Sequence, residues 1–265
     1  MKKLVILVLL VLFVSLLGCA GAEVPKPAAK ASAESSEDSS APAADSKYVA
    51  SEKTGAQAKA VKLVADDNVN LEATYYPGKE NAVIFLHMMN RDRHDWDSFA
   101  KKLNTMGYTV ISFDLRGHGD SDLNWMDFED VDYKPMVSDV GVAAQYLYDN
   151  NKVNIDRVYI VGASIGANLA VMYGVTDAKV KKVVMLSPGN DYHGINPLGA
   201  LGKFSRPALL VYSKRDRTAA DVLAMKQIGK GEREVIAYDM STAHGTDMFA
   251  EHPDLEQKII EFIGS

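Results

Sequence analysis

The chain contains a single cysteine, Cys19, so no internal disulfide can staple its fold and stability must come from a hydrophobic core. It has no H-E-x-x-H pattern, no cysteine cluster and no glycine-rich nucleotide loop, so neither a metal nor an organic cofactor is called for. His87, Asp92 and His94 lie near one another, but beside Arg91 and Arg93 they read as solvated turn residues rather than metal ligands. Acidic residues outnumber basic ones, with a formal net charge of -6, and no basic-aromatic patch appears. That balance argues against nucleic acid as a partner. Nothing in the sequence specifies an oligomeric state.

The apolar run from Leu4 to Leu17 is fourteen residues long, short of the roughly twenty a spanning helix needs. With Lys2 and Lys3 before it, it has the layout of an export signal. The segment ends Leu16-Leu17-Gly18-Cys19 and resembles a bacterial lipoprotein signal, which implies cleavage after Gly18 and acyl chains such as palmitate on Cys19. Loss of Lys2 and Lys3 would take the net charge from -6 to -8. Residues 20–59 are dominated by Ala, Ser, Pro, Glu, Asp and Lys and cannot bury enough apolar surface to offset their ordering entropy. They read as a tether holding an extracytoplasmic domain, residues 60–265, to a membrane by its lipid anchor. Ala20, rather than an acidic residue, follows the cysteine, which favours the outer membrane in a cell with two.

In residues 60–265 short apolar strands alternate with helical stretches. An antiparallel pair is expected at Val61 to Ala65 and Val69 to Tyr76, then buried strands at Ala82–His87, Thr109–Asp114, Arg157–Gly162, Val180–Ser187, Pro207–Tyr212 and Glu234–Met240. Helices are expected near Trp96–Met106, Pro135–Asn150, Ile165–Tyr173, Ala219–Ile228 and Asp254–Phe262. Continuous apolar strands separated by helices predict an α/β fold with a mostly parallel sheet covered on both faces. Functional groups then belong just beyond the carboxyl ends of the strands.

Gly162-Ala163-Ser164-Ile165-Gly166 falls between a strand and an Ala-rich helix, where a sharp turn would expose the Ser164 hydroxyl as a nucleophile. The same glycines could simply form a tight turn with Ser164 as a helix cap, so the later residues carry weight. His244 follows the last strand and could take and return the Ser164 proton. Asp216, after the penultimate strand, is the first choice for the orienting carboxylate, and Asp191, one strand earlier, is the competitor.

Together with Ile84-Phe85-Leu86-His87 and the stretch Asp114-Leu115-Arg116-Gly117-His118-Gly119-Asp120-Ser121, these residues make the chain resemble the alpha/beta-hydrolase family, in its group of esterases, monoglyceride-type lipases and dienelactone-hydrolase-like enzymes. The resemblance implies an oxyanion hole from the backbone amides of Met89 and Ile165, and an architectural rather than catalytic His118. Met88 stands where the family usually has glycine, which predicts backbone strain and extra bulk at the site. Only nineteen residues, Pro188 to Arg206, follow the sixth strand, too few for a large cap, so an open cleft is expected, with Trp125 and Tyr133 as possible cover on one side. The implied activity is serine-dependent cleavage of a small-molecule acyl substrate, a carboxylic ester first. A peptidase of short peptides is the alternative within the same chemistry, with Asp92, Asp95 and Glu129 the nearest thing to a clamp for an amino terminus. A ligand-binding lipoprotein without turnover is the alternative outside it.

Overall fold

A computed structural model describes residues 57–150 and 155–265. The signal segment, Cys19 and nearly all of the tether lie outside the described residues.

Eight strands form one sheet: β1 (Lys59–Val64), β2 (Asn70–Tyr76), β3 (Asn81–Leu86), β4 (Thr109–Phe113), β5 (Arg157–Ala163), β6 (Val180–Leu186), β7 (Ala208–Ser213) and β8 (Arg233–Tyr238). Their order is β1-β2-β4-β3-β5-β6-β7-β8. Both pairings of β2, with β1 and with β4, are antiparallel, and every other pairing is parallel. Among the described residues the α-helices are α1 (Asp97–Thr105), α2 (Asp130–Tyr133), α3 (Met136–Asn150), α4 (Ile165–Gly174), α5 (Leu198–Lys203), α6 (Ala219–Met225), α7 (Met248–Glu251) and α8 (Leu255–Gly264). This is the alpha/beta-hydrolase fold expected from the sequence. Strand β1 begins one residue earlier than the domain boundary placed at 60.

The central strands are apolar throughout because both sheet faces are covered. Alternate residues divide between two cores. Ile84, Ile111, Ile160, Met185 and Leu210 face α3 and α4, while Val83, Phe85, Val110, Val161 and Val184 face α1 and α8. Trp96 stacks on Phe85 at 4.5 Å, fixing the entry to α1. Burying a side chain of this size contributes about 2–3 kcal/mol. The outermost strands, β1 and β8, are instead partly exposed, as edges with a neighbour on one side only.

No large cap follows β6. The connection to β7 holds an isolated bridge, Tyr192 to Ile195, and the six-residue helix α5. On the other side, Arg116 of the loop after β4 donates to Asp139 of α3 at 2.7 Å and to Asp67 of the β1–β2 hairpin at 2.7 Å. Arg93 donates its backbone N–H to Asp114 at 2.7 Å, and their side chains also pair. These ion pairs clamp the loops after β3 and β4 beside the sheet's carboxyl edge, which gives the Asp-x-Arg-Gly-His-Gly stretch its architectural role.

Candidate active site

The turn between β5 and α4 holds Ser164 at φ 55° and ψ -117°, a backbone conformation an L-residue adopts only under constraint. The flanking glycines supply the constraint. A Cβ on Gly162 would stand 2.1 Å from the Gly166 carbonyl oxygen, and one on Gly166 would stand 2.5 Å from the Leu86 oxygen. Only hydrogen at both positions lets the helix start this close to β3 and β5. The Ser164 amide donates to the Leu186 oxygen of β6 at 2.8 Å and fixes the turn against that strand.

His244, in the loop after β8, places Nδ1 at 2.8 Å from the Asp216 carboxylate. A carboxylate only accepts, so Nδ1 carries the proton and Nε2 presents its lone pair. Nε2 is buried and has no hydrogen-bond partner among the described residues. An unpartnered basic nitrogen is what a general base needs before substrate arrives. Burial pushes the Asp216 carboxyl up, but hydrogen bonds from His244, Thr218 and Ser187 and the attraction of His244 outweigh it and hold the group below its usual value. Asp216 therefore stays ionised to steer the imidazole.

Asp191 is engaged elsewhere, accepting from the Gly194 amide at 2.7 Å in its own turn. Ser187, just past β6, takes the Gly245 amide on its Oγ at 3.0 Å, tying the histidine loop to the sheet edge. Ser213 donates to the Ala243 carbonyl at 2.7 Å and holds the same loop from the other side.

The loop after β3 corrects one expectation. Met88 takes no positive φ; that conformation falls on Asn90, at 59°. Met88 is buried, and its sulfur fills the space beside Gly245, where a Cβ would come within 2.6 Å of it. The bulk of Met88 is thus accommodated by the glycine that follows His244. The amides of Met89 and of Ile165, the latter at the free amino end of α4, donate to no described protein group.

The reading of His87 as a solvated turn residue is also corrected. It is fully buried, its Nε2 accepting from the Leu115 amide at 2.9 Å and its Nδ1 facing the Met88 oxygen at 2.8 Å. Burial lowers its pKa to about 4 and that of His118 likewise to about 4, so both are neutral at pH 7. Asp92 caps the His94 amide and His94 pairs with Asp97, on a separate exposed turn. Among the described residues no cluster of three His, Cys, Asp or Glu side chains is suited to a metal. Tyr133 does not line the cleft either. It is buried, stacked on His193 at 4.4 Å, while half-buried Trp125 stacks on His118 at 5.7 Å.

Tyr192 was not singled out by the sequence. Its hydroxyl donates to the Ser187 oxygen at 3.2 Å, the carbonyl next to the one that anchors the Ser164 amide. Burial raises its pKa, and the neighbouring Ser164 hydroxyl partly offsets that rise. Asn168 of α4 secures this loop, donating to the Gly189 and Ile195 oxygens at 2.9 and 2.8 Å. The only sequence signal was a tyrosine shortly after a strand end.

A family model described as Hydrolase_4, serine aminopeptidase S33, matches residues 78–224, more than half of the chain. The chain belongs to the Hydrolase_4 family. That match spans the loop after β3, the Ser164 elbow and Asp216, and stops before His244. The AB hydrolase superfamily protein YisY of Bacillus subtilis (strain 168) is 30% identical over 112 residues, 42% of this chain and 38% of that protein. The match thus covers little more than a third of that relative's length. Among solved structures, the Pyrococcus furiosus esterase Pf2001 aligns with a TM-score of 0.67 at 20% identity, covering 84% of this chain and 97% of that one. Est1E from Butyrivibrio proteoclasticus, solved with ferulic acid, aligns at 0.63 with 15% identity, over 77% of this chain and 100% of its own. At such identities the likeness is one of fold, and it agrees with the Hydrolase_4 architecture.

Proposed function

We propose that this chain is a serine hydrolase that cleaves carboxylic esters through an acyl-enzyme. Ser164 Oγ attacks the acyl carbonyl carbon while its proton passes to His244 Nε2, and Asp216 holds the imidazole in the required tautomer. The oxyanion takes hydrogen bonds from the Met89 and Ile165 amides, worth about 3 kcal/mol per donor. His244 then protonates the departing alkoxide, and a water repeats the cycle to release the acid. The observations that carry this reading are the Asp216–His244 bond of 2.8 Å, which leaves a bare, buried Nε2, and Ser164 held on a strained elbow at the carboxyl edge of the same sheet. The esterase Pf2001 among its structural neighbours favours an ester substrate. The proposed location is extracytoplasmic, on a bacterial membrane through lipid at Cys19, and on the outer membrane where two exist.

A second reading, cleavage of short peptides, draws on the aminopeptidase description of the family model. Against it, Asp95 is occupied by Arg91 and Thr246 and so is not free to hold an amino terminus. A binding protein without turnover would need a defect in the machinery, and Met88, the residue suggesting one, packs without backbone strain.

Fluorophosphonate labelling of the folded protein, with Ser164→Ala as control, tests the proposal. Labelling of the wild type alone is expected; no labelling, or equal labelling of the mutant, rejects Ser164 as nucleophile. Comparing short-chain esters with amino-terminal peptide amides then ranks the two substrates.

A further inference from the structure

Two buried serines join the loops that carry Asp216 and His244, and the chemistry above assigns no step to either. Ser213 is the last residue of β7, on the loop that leads to Asp216, and Ser241 stands just past β8, on the loop that leads to His244. Their hydroxyl oxygens are 2.9 Å apart. Between them they grip Ala243, the residue before His244, at both ends: its N–H donates to Ser241 Oγ at 3.1 Å and its C=O accepts from Ser213 Oγ at 2.7 Å. The backbone ties the same two loops. The Arg215 amide donates to the Ser241 oxygen at 3.1 Å, and the Asp216 amide donates to the Ser213 oxygen at 3.0 Å. Asp216 and Ala243 thus hang from one residue, Ser213, the first by its carbonyl and the second by its hydroxyl.

The supply of protons extends this arrangement to a third side chain. Ser241 Oγ donates outward to the carboxylate of Glu251, the last residue of α7, at 2.7 Å. The same Glu251 oxygen lies 3.9 Å from His252 Nε2, beyond hydrogen-bond reach. A carboxylate and a carbonyl only accept, so the three oxygen–oxygen contacts Ala243–Ser213, Ser213–Ser241 and Ser241–Glu251 share the protons of two hydroxyls. With Ser241 turned to Glu251, the Ser213 proton is left to hold Ala243. Burying two hydroxyls costs free energy unless each is bonded. Alanine at either position would avoid that cost and would leave Ala243 gripped at one end only.

We propose that Ser213 and Ser241 are positioning residues that set the Asp216–His244 distance through their joint grip on Ala243, with Glu251 as the outer anchor that orients Ser241. The inference rests on the serine-hydrolase reading above, because only there does His244 have a base's task. Neither serine makes or breaks a bond. A shift of Ala243 carries the adjoining imidazole with it, away from the carboxylate that fixes its tautomer, and a misplacement of about 1 Å can cost 10²-fold in rate.

The test follows two readouts in the full chain and in Ser213→Ala, Ser241→Ala, Glu251→Ala and Glu251→Gln. One is steady-state hydrolysis of p-nitrophenyl butyrate; the other is the deshielded NMR signal of the His244 Nδ1 proton, assigned by its loss in His244→Gln. Each serine variant is expected to lose about tenfold in kcat, the rate equivalent of one net buried hydrogen bond, with KM unchanged and the Nδ1 signal displaced. Glu251→Ala should lose less, and Glu251→Gln should recover most of that loss, because its amide can donate to Ser241 and let Ser241 donate to Ser213. An unmoved signal, or a wild-type kcat, in a serine variant shown by circular dichroism to be folded overturns the proposal. Should both serine variants fail to fold, Glu251→Ala, at a half-exposed side chain, decides by the same two readouts. If the wild type hydrolyses no ester and Ser164 takes no fluorophosphonate label, the hydrolase reading fails, while the Nδ1 signal still reports whether the serines set the Asp216–His244 bond.

Discussion

His244 Nδ1 lies 2.8 Å from Asp216, whereas Asp191 caps Gly194 in a turn of its own. Only one of the two carboxylates can therefore control the histidine's tautomer. Asp216→Asn is expected to leave the fold intact and to lower kcat on a simple alkyl ester by roughly 10⁴-fold, because the amide can stabilise the wrong tautomer. Asp191→Asn should cost far less on that substrate. Matched steady-state assays of the two variants check this, and the reverse ranking would move the role to Asp191.

The elbow depends on the absence of a side chain at Gly166, where a Cβ would lie 2.5 Å from one backbone oxygen and 2.6 Å from the next, those of Leu86 and His87. Neither is the flexible end of a side chain, so the backbone itself must move. Gly166→Ala is expected to destabilise the protein by about 3 kcal/mol, at the upper end of overpacking costs. It should also cut turnover, since the shift displaces Ser164. Urea denaturation and fluorophosphonate labelling rates measure the two effects, and wild-type values in both would contradict the packing argument.

His87 and His118 both titrate near pH 4 in the folded protein, against an ordinary value of 6.5, because burial disfavours their charged forms. The unfolded chain then binds more protons than the native one between those limits. Stability from each group is fully present above pH 6.5 and is lost as pH falls towards 4. At pH 5 the loss is on the order of 2 kcal/mol per histidine. Urea midpoints at pH 7 and pH 5 should show this decline, and His118→Gln should make it shallower. An identical pH dependence in the variant would assign the effect to other groups.

Lipid attachment at Cys19 predicts that Cys19→Ala abolishes fatty-acid labelling and leaves the precursor uncleaved. Metabolic labelling followed by membrane fractionation measures both. Continued labelling of the mutant would remove the lipoprotein proposal, and with it the expected position at a membrane.

Sequence alone determined the layered fold, because strands such as Asn81–Leu86 and Thr109–Phe113 are apolar on both faces and can be stable only beneath two helical layers. It also determined the elbow, since Gly-x-Ser-x-Gly between a strand and a helix is a local pattern whose steric cause lies within a few residues and one neighbouring strand. The short helices α2, α5 and α7 escaped it, being too brief to show a helical period. Tertiary structure decided the rest. The partner of His244 depends on how two loops 28 residues apart meet across the sheet edge, which no spacing rule separates from the Asp191 alternative. The burial of His87 was likewise decided in three dimensions: its charged sequence neighbours point to water, yet the strand before it carries the ring into the protein, where Leu115 and Met88 satisfy both nitrogens. Met88 and Gly245 stand far apart in sequence and complement each other only in space. So do Tyr192 and Ser164, whose proximity arises because both loops leave the sheet at the carboxyl ends of adjacent strands, β5 and β6.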